Sequence, residues 1–261
     1  MRRVSNAALG VLLALVVSAV AWRAHALTLG GAVAAFCVGS AVFAALGLGG
    51  AVVLLAFFVS SVGLSRWGRA HKRELVDVGK HGPRDALQVL ANGGVAALCA
   101  LCAVAAQGEA ARWSIAFAGA FAAATADTWA TEIGTLGEST PRSILTGKPI
   151  ARGLSGGVTL MGTAAEVAGA SFIALAAQLC GLHAFGVIAA AGVAGAVVDS
   201  LLGATLQSLR WCPDCSRACE TNPHHCGSAT TPLRGFSWFG NDLVNFGATV
   251  TGAAVAFLIA N

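Results

Sequence analysis

Apolar residues run along this chain in long unbroken stretches, not in the one-faced patterns of a water-soluble fold. A membrane-crossing helix needs about 20 mostly apolar residues. Stretches of that kind lie at 6–22, 27–45, 47–63, 87–106, 112–131, 157–179, 185–206 and 243–260. The second and third are parted only by Gly47 to Gly50, so they read as a tight hairpin or as one broken unit. Three polar loops, 64–86, 132–156 and 207–242, interrupt the pattern. The pattern predicts an all-α, polytopic integral membrane helix bundle of about seven to nine transmembrane helices. It forms one domain over 1–261, with a Cys-rich loop at 207–236 inserted in it.

Composition narrows this. Hydrophobic residues make up 56% of the 261 and charged residues 11%, with a mean hydropathy of +0.75. A soluble domain carries about 25% charged residues, and disorder needs high charge with little apolar bulk, so both are excluded. The 33 glycines and abundant alanines suit helices that pack closely in lipid. A net charge of +4 is no nucleic-acid signature; what matters is where the basic residues sit. Arg66, Arg69, Lys72, Arg73, Lys80 and Arg84 occupy the first loop, Arg142, Lys148 and Arg152 the second, and Arg210, Arg217 and Arg234 the third. With eight spans these loops share one side with Arg23, while Arg2, Arg3 and Arg112 fall opposite. Basic loops mark the cytoplasmic side, which puts the N-terminus outside. Residues 1–26 also have the form of a secretory leader ending at Ala24-His25-Ala26. That alternative needs the N-terminus inside and would throw every basic loop outside, against the same rule.

Of only 12 acids, Asp127, Glu132, Glu166, Asp199 and Asp242 lie in or at the ends of apolar spans. A charge at the bilayer centre costs about 2.5–3.5 kcal/mol on insertion scales, so such groups persist when they face a polar interior, an ion or each other. Asp127 and Glu132, five residues apart, are separated by roughly 140° around a helix; both can point into a cleft without stacking. Several carboxylates near one membrane face are what Mg²⁺ needs, since it takes few carboxylates plus waters and phosphate oxygens. The blander alternative makes Asp242 a helix cap and Asp127 and Asp199 interhelical hydrogen-bond partners. Glu166, mid-span and away from any motif, reads as packing or pairing. A faint internal echo, Asn92-Gly93-Gly94-Val95 against Ser155-Gly156-Gly157-Val158, each followed by a span with an acid near its end, hints at a helix-pair repeat.

Two further constellations carry chemistry. Lys80-His81-Gly82-Pro83-Arg84-Asp85 leads into a helix, and Gly147-Lys148 and Gly153-Leu154-Ser155-Gly156-Gly157 form a Gly-rich entry to another. Basic side chains and helix-start amides of this kind hold phosphate oxygens, although a basic loop beside anionic lipid has the same composition. Cys212-Pro213-Asp214-Cys215, then Cys219, then His224-His225-Cys226, offers ligands for a tetrahedral structural Zn²⁺.

Stretches 60–72, 84–94, 126–134, 139–159, 199–207 and 238–245, taken in order, resemble the integral membrane family listed as domain of unknown function 92. That family includes plant and cyanobacterial phytyl-phosphate kinase and animal transmembrane protein nineteen. Leu154 departs from the small polar residue expected there. The resemblance implies an isoprenyl-monophosphate kinase making a prenyl diphosphate from a nucleoside triphosphate, with CTP and Mg²⁺ favoured by more distant relatives. The acids, the basic loops and the resemblance together put the Mg²⁺ at Asp127, Asp199 and Asp242, with Glu132 beside them. They assign phosphate and nucleotide binding to Lys80, Arg84, Asn92, Arg142, Lys148, Ser155, Gly156, Gly157 and Asn241. A lipid-phosphate carrier or a non-catalytic structural protein are the alternatives; a carrier wants its acids near the midplane, an enzyme near the headgroups.

Overall fold

The computed structural model describes residues 2–67, 82–137 and 139–260; Lys80 and most of the first basic loop lie outside them. The chain is mostly helical: α1 (Arg2–Arg23), α2 (Leu29–Trp67), α3 (Ala86–Ala105), α4 (Ala110–Gly134), α5 (Leu160–Leu179), α6 (Phe185–Thr205) and α7 (Asn241–Ile259). Helices α2, α3, α5, α6 and α7 are long and apolar enough to cross a membrane.

Helix α2 has 39 residues and does not run straight. Gly47 leaves the helical region with φ 62° and ψ −147°, a conformation that favours glycine. A straight helix of that length would span about 58 Å. Yet Arg66 near its end donates to the Ala24 carbonyl just before its start, at 2.6 Å. Arg84 likewise accepts from the Thr28 amide at 3.0 Å and lays its guanidinium 5.9 Å over the Phe57 ring. The chain therefore doubles back at Gly47, and α2 is a helical hairpin.

Large apolar side chains point outward and small ones inward. Leu9, Leu12, Leu160, Leu179 and Leu258 are exposed, whereas α4 is buried from Ala116 to Ala126 in a run of Ala, Gly, Phe and Thr. Inside lipid this arrangement is stable, because hydrocarbon solvates the Leu and Val surface and small residues let backbones approach. Backbones approach closely where α4 crosses α7. A Cβ on Gly119 would lie 2.5 Å from the Gly252 carbonyl oxygen, and one on Gly252 would lie 2.5 Å from that of Gly119. α4 is thus the central helix, sheathed by α2, α3, α5, α6 and α7, which explains how a moderately apolar segment carrying Asp127 and Glu132 sits at the centre of the bundle.

The loops gather at one end. Ser65 donates to Glu132, Arg66 reaches Ala24, and the Ser155 amide reaches Glu220 across 65 residues. Arg112 lies at the opposite end, paired with Glu109 at 2.9 Å and stacked over Phe257. Two pieces of this end are strands, which the apolar pattern does not reveal. β1 (Arg142–Ser143) pairs antiparallel with β2 (Gly157–Val158). Residues of the long third loop form an antiparallel sheet ordered β4-β3-β5, from β3 (Leu209–Cys212), β4 (Arg217–Cys219) and β5 (Thr231–Arg234). Helix α5 consequently starts at Leu160, not at 157: Gly157 and Val158 are used by β2, and Thr159 caps the helix by accepting the Gly162 amide at 2.9 Å.

The internal echo finds no support. Asn92 to Val95 lies inside α3, whereas Ser155 to Val158 is loop and strand, so matching strings adopt different structures. Asp85, not Arg84, opens α3: it accepts the Gln88 amide while the Gln88 side chain accepts the Asp85 amide, a complete capping box. Asp242 is not a cap; Gly240 takes that position and Asp242 lies in the first turn of α7.

Candidate functional site

Where the loops gather, a cleft of about 980 Å³ opens into the bundle. Its wall is built from four sources. α4 contributes Asp127, Thr128, Thr131 and Glu132. α5 and α6 contribute Glu166, Asp199 and Ser200. The segment entering α3 contributes Arg84, Gln88 and Asn92. The turn from Arg152 to Thr159 closes the top, joined by Glu220, Asn241 and Asn245.

The acids occupy this cleft for a local reason. Asp127 is in the last two turns of α4 and Asp199 in the last two of α6, and their carboxyl groups lie close enough to interact. Two carboxylates at that range repel unless a proton or a cation lies between them. Asp199 Oδ2 and Glu166 Oε1 are buried and have no hydrogen-bond partner among the described residues. Buried carboxylate oxygens left in this way fit a hard cation. The carboxylates are not closed into a complete cage. Among the described residues, the only set of three or more ligand atoms within 4.8 Å of one another is in the cysteine cluster. Ligand atoms on one Mg²⁺ lie at most about 4.2 Å apart, so two of these acids could bind it directly, with waters and phosphate oxygens completing its shell.

The cationic side of the cleft is Arg84. Burial lowers its pKa from the ordinary range, and the nearby Glu132 carboxylate pulls it back up. Glu132 is itself buried and accepts from Ser65 at 2.8 Å. Asn92 turns its amide nitrogen to the Gln88 carbonyl at 2.9 Å, which leaves its oxygen for the cleft. At the top, Gly153 and Gly156 take φ of 90° and 82°, and a Cβ on Gly156 would meet Ala204 Cβ at 2.5 Å. Only glycine allows this turn to lie against α6. Glu220 reaches into it from the end of β4, accepting the Ser155 amide at 3.0 Å and the Gln207 side chain at 2.8 Å. Burial pushes the Glu220 carboxyl up, against the Ser155 hydrogen bonds and the Arg234 charge.

The site expected from the residues is therefore partly gathered. Asp127, Glu132, Asp199, Arg84, Asn92, Ser155, Gly156, Gly157 and Asn241 line the cleft. Asp242 does not line it, and Arg142 in β1 and Lys148 on the β1–β2 loop are exposed, Arg142 donating to the Gly147 carbonyl at 2.8 Å. Lys80 falls outside the described residues. Glu166 joins the cleft, contrary to its expected role in packing; its signal was the cost of an acid in an apolar span. Glu220 is an addition that no motif marked, and Gln88 and Arg152, within stretches already singled out, had been given no role at the site.

A second cavity adjoins the first. It is apolar, about 180 Å³, and lies between α1 and the two arms of the α2 hairpin, lined by Leu13, Val17, Ala35, Val38, Val52 and Phe58. Arg84, Gln88 and Asn92 line both cavities. The polar cleft and the apolar groove thus meet at three residues.

The cysteine cluster forms its own site on the β3–β4 sheet. Cys212, Cys215, His224 and Cys226 bring their ligand atoms within 4.8 Å of one another. Cys219 and His225 are not in that set: the Cys219 thiol faces the Thr221 carbonyl at 3.7 Å, and the His225 ring lies against that of His224, centroids 4.0 Å apart.

A family model described as integral membrane protein DUF92 matches residues 12–253. The chain belongs to this family. Among similar proteins, "Protein PGR" of Arabidopsis thaliana is 32% identical over 225 residues, covering 75% of this chain and 78% of the relative. "Uncharacterized membrane protein sll0875" of Synechocystis is 28% identical over 227 residues, 85% and 78% of the two chains. "Uncharacterized membrane protein MJ0933" of Methanocaldococcus jannaschii is 35% identical over 164 residues, 60% and 64% of the two. No solved structure matches the chain. Family and apolar helices together make this an integral membrane protein.

Proposed function

We propose that this protein is a membrane-embedded prenyl-monophosphate kinase, transferring a phosphoryl group from a nucleoside triphosphate to a phytyl-type phosphate. The observation that carries the reading is the junction at Arg84, Gln88 and Asn92, where an acid-lined cleft meets an apolar groove. An amphiphile with a phosphate head and a hydrocarbon tail fits such a junction; a purely soluble substrate would leave the groove unused. The family resemblance supplies the prenyl chain and the kinase reaction.

In the reaction an oxygen of the prenyl phosphate attacks the γ-phosphorus of the triphosphate. The bond from that phosphorus to the β-bridging oxygen breaks, and nucleoside diphosphate leaves with its electron pair. The acceptor is already ionised near neutral pH, so positioning and charge neutralisation dominate over proton abstraction. Arg84 holds the acceptor phosphate, with Asn92 and Asn241 orienting it. The 153–157 turn, its Ser155 amide already held by Glu220, and Arg152 face the donor phosphates. Asp127 and Asp199 would hold Mg²⁺, with Glu166 reaching it through water, and the ion would neutralise charge on the transferring group. Glu132 sets the Arg84 side chain. In the membrane we place eight crossings, counting both arms of α2, with the cleft and its loops cytoplasmic and the N-terminus outside, as the basic loops require.

Purified protein in nanodiscs, given Mg²⁺, geranylgeranyl or phytyl phosphate and each nucleoside triphosphate in turn, is expected to yield the prenyl diphosphate. Unchanged substrate under all four nucleotides overturns the reading, and nucleotide-independent flux of lipid phosphate in liposomes would establish the carrier instead. Two variants read the junction from either side. Arg84→Gln should weaken binding of the prenyl phosphate about tenfold or more, the scale of a lost hydrogen bond to a charged group, measured by calorimetry in detergent. Ala35→Phe narrows the groove and should raise KM about tenfold for a twenty-carbon tail, the worth of roughly two methylenes of contact. KM for a five-carbon phosphate should stay unchanged.

A further inference from the structure

The β3–β4–β5 sheet lies outside the phosphate chemistry, yet it carries a cluster with the shape of a metal site. Cys212, at the end of β3, and His224 are buried, Cys215 is half-buried, and Cys226 is exposed. Cys212 Sγ lies 3.6 Å from Cys226 Sγ, and His224 Nδ1 lies 3.0 Å from the same sulfur. A tetrahedral Zn²⁺ with bonds of about 2.3 Å to sulfur and 2.0–2.1 Å to nitrogen sets its ligand atoms about 3.3–3.8 Å apart. The four atoms therefore stand close to the size of the cage, with one histidine and three cysteines as donors.

Two tight turns present these ligands. The first joins β3 to β4 through Pro213 and Asp214 and needs Ser216 at φ 50°. The second closes with the Gly227 amide donating to the His224 carbonyl at 2.8 Å and the His224 amide donating to Ser228 at 3.0 Å. Gly227 is at φ 88°. Paired turns, each offering two ligands two or three positions apart, can grip a structural zinc. A disulfide would use two of the cysteines and leave the histidine without a part.

The sheet also connects to the cleft. β4 ends at Cys219, and the next residue, Glu220, is the one that fastens the Ser155 amide and the Gln207 side chain. Arg210 on β3 holds Thr230 through two hydrogen bonds of 2.6 Å, and Arg234 on β5 donates to the Gly203 carbonyl of α6 at 2.9 Å. With four extended residues in its longest strands, this sheet has little apolar core to fix it.

We propose that Cys212, Cys215, His224 and Cys226 bind one Zn²⁺, and that this ion fixes the sheet so that Glu220 holds the 153–157 turn over the cleft. Full-length protein purified without chelator is expected to carry one zinc per chain by inductively coupled plasma mass spectrometry. Cys212→Ser and Cys226→Ser should lose it; Cys219→Ser and His225→Ala should keep it. Protein stripped of zinc and reloaded with Co²⁺ should show the visible bands of tetrahedral thiolate coordination, a readout that does not depend on the variants folding. Hydrogen exchange of amides 153–157 should quicken about tenfold on zinc removal, with 116–126 unchanged. The site is overturned by metal-free protein that takes up no Zn²⁺ or Co²⁺, by a Cys212–Cys226 disulfide in the intact protein, or by zinc that survives Cys212→Ser. Unaltered exchange at 153–157 in stripped protein overturns the link to the cleft. None of these measurements uses a prenyl phosphate or a nucleotide, so they stand or fall apart from the kinase reading.

Discussion

Asp199→Asn should cut prenyl-phosphate phosphorylation by about 100-fold or more while leaving the folded protein in the membrane. Removing one preorganised group that stabilises transition-state charge costs on the order of 10²–10³ in rate. Asp199 stands at the meeting of the cleft acids: Asp127 and Glu166 lie close enough to act on it electrostatically, and its Oδ2 is buried without a hydrogen-bond partner among the described residues. Asparagine keeps its size and can still donate to Asp127, so packing between α4 and α6 is preserved. The loss should appear in kcat, with KM for the lipid little changed, and excess Mg²⁺ should recover part of it. Asp127→Asn should behave in the same way. Full activity in both variants would remove the carboxylate pair from the chemistry and return it to the role of interhelical hydrogen bond. Asp242→Asn makes a useful contrast, because Asp242 lies outside the cleft lining; its activity should fall far less.

Gly119→Leu should abolish the folded monomer. The crossing of α4 and α7 leaves 2.5 Å between a Cβ there and either the Gly252 carbonyl oxygen or the Ala256 Cβ. Those are backbone and short side-chain atoms that cannot swing away, and α4 is walled in on its remaining sides. Overpacking a tight core costs typically 1–3 kcal/mol, and more when backbone must move. A leucine here separates two helices that make one continuous interface, and marginal stability leaves little to absorb it. Size-exclusion chromatography with a fluorescent fusion should show the variant's sharp peak replaced by aggregate. Gly63→Leu, where a Cβ meets nothing within 4 Å, should run as the parent does. A sharp peak for Gly119→Leu would mean the two helices are not held at this distance.

How much of this could be read in the residues depends on what each signal measures. Apolar runs report transfer into lipid, so the helix positions followed from them to within a few residues, and Gly47 marked the reversal of α2. Short strands bury little and leave no run to detect, which hid β1–β2 and the sheet that carries the cysteines. Asp127 and Asp199 were legible because a carboxylate in an apolar span is costly. Glu166 carried that same cost and was set aside because no neighbour shared a motif with it; only the packing of α5 against α4 brings it to Asp127 and Asp199. Asp242 had the motif yet lies off the cleft, since a first-turn residue faces wherever the helix entry turns it. Glu220 was hidden among cysteines, its partner Ser155 being 65 residues away. Arg142 and Lys148 show the opposite case: basic residues beside glycines suggest anion binding, and a two-stranded hairpin carries them out to solvent, off the cleft lining.

The groove between α1 and the α2 hairpin has one more consequence. Leu13, Val17, Leu48 and Val52 line it and are also on the outer surface of the bundle, so it opens sideways, toward acyl chains. A molecule entering there arrives by two-dimensional diffusion within the leaflet. The quantity that saturates the protein is then the mole fraction of the lipid in the bilayer, and its molarity in the tube is immaterial. Adding inert phospholipid at constant substrate should slow the reaction, adding buffer should leave it unchanged, and a nucleotide drawn from water should obey ordinary molar saturation in the same assay.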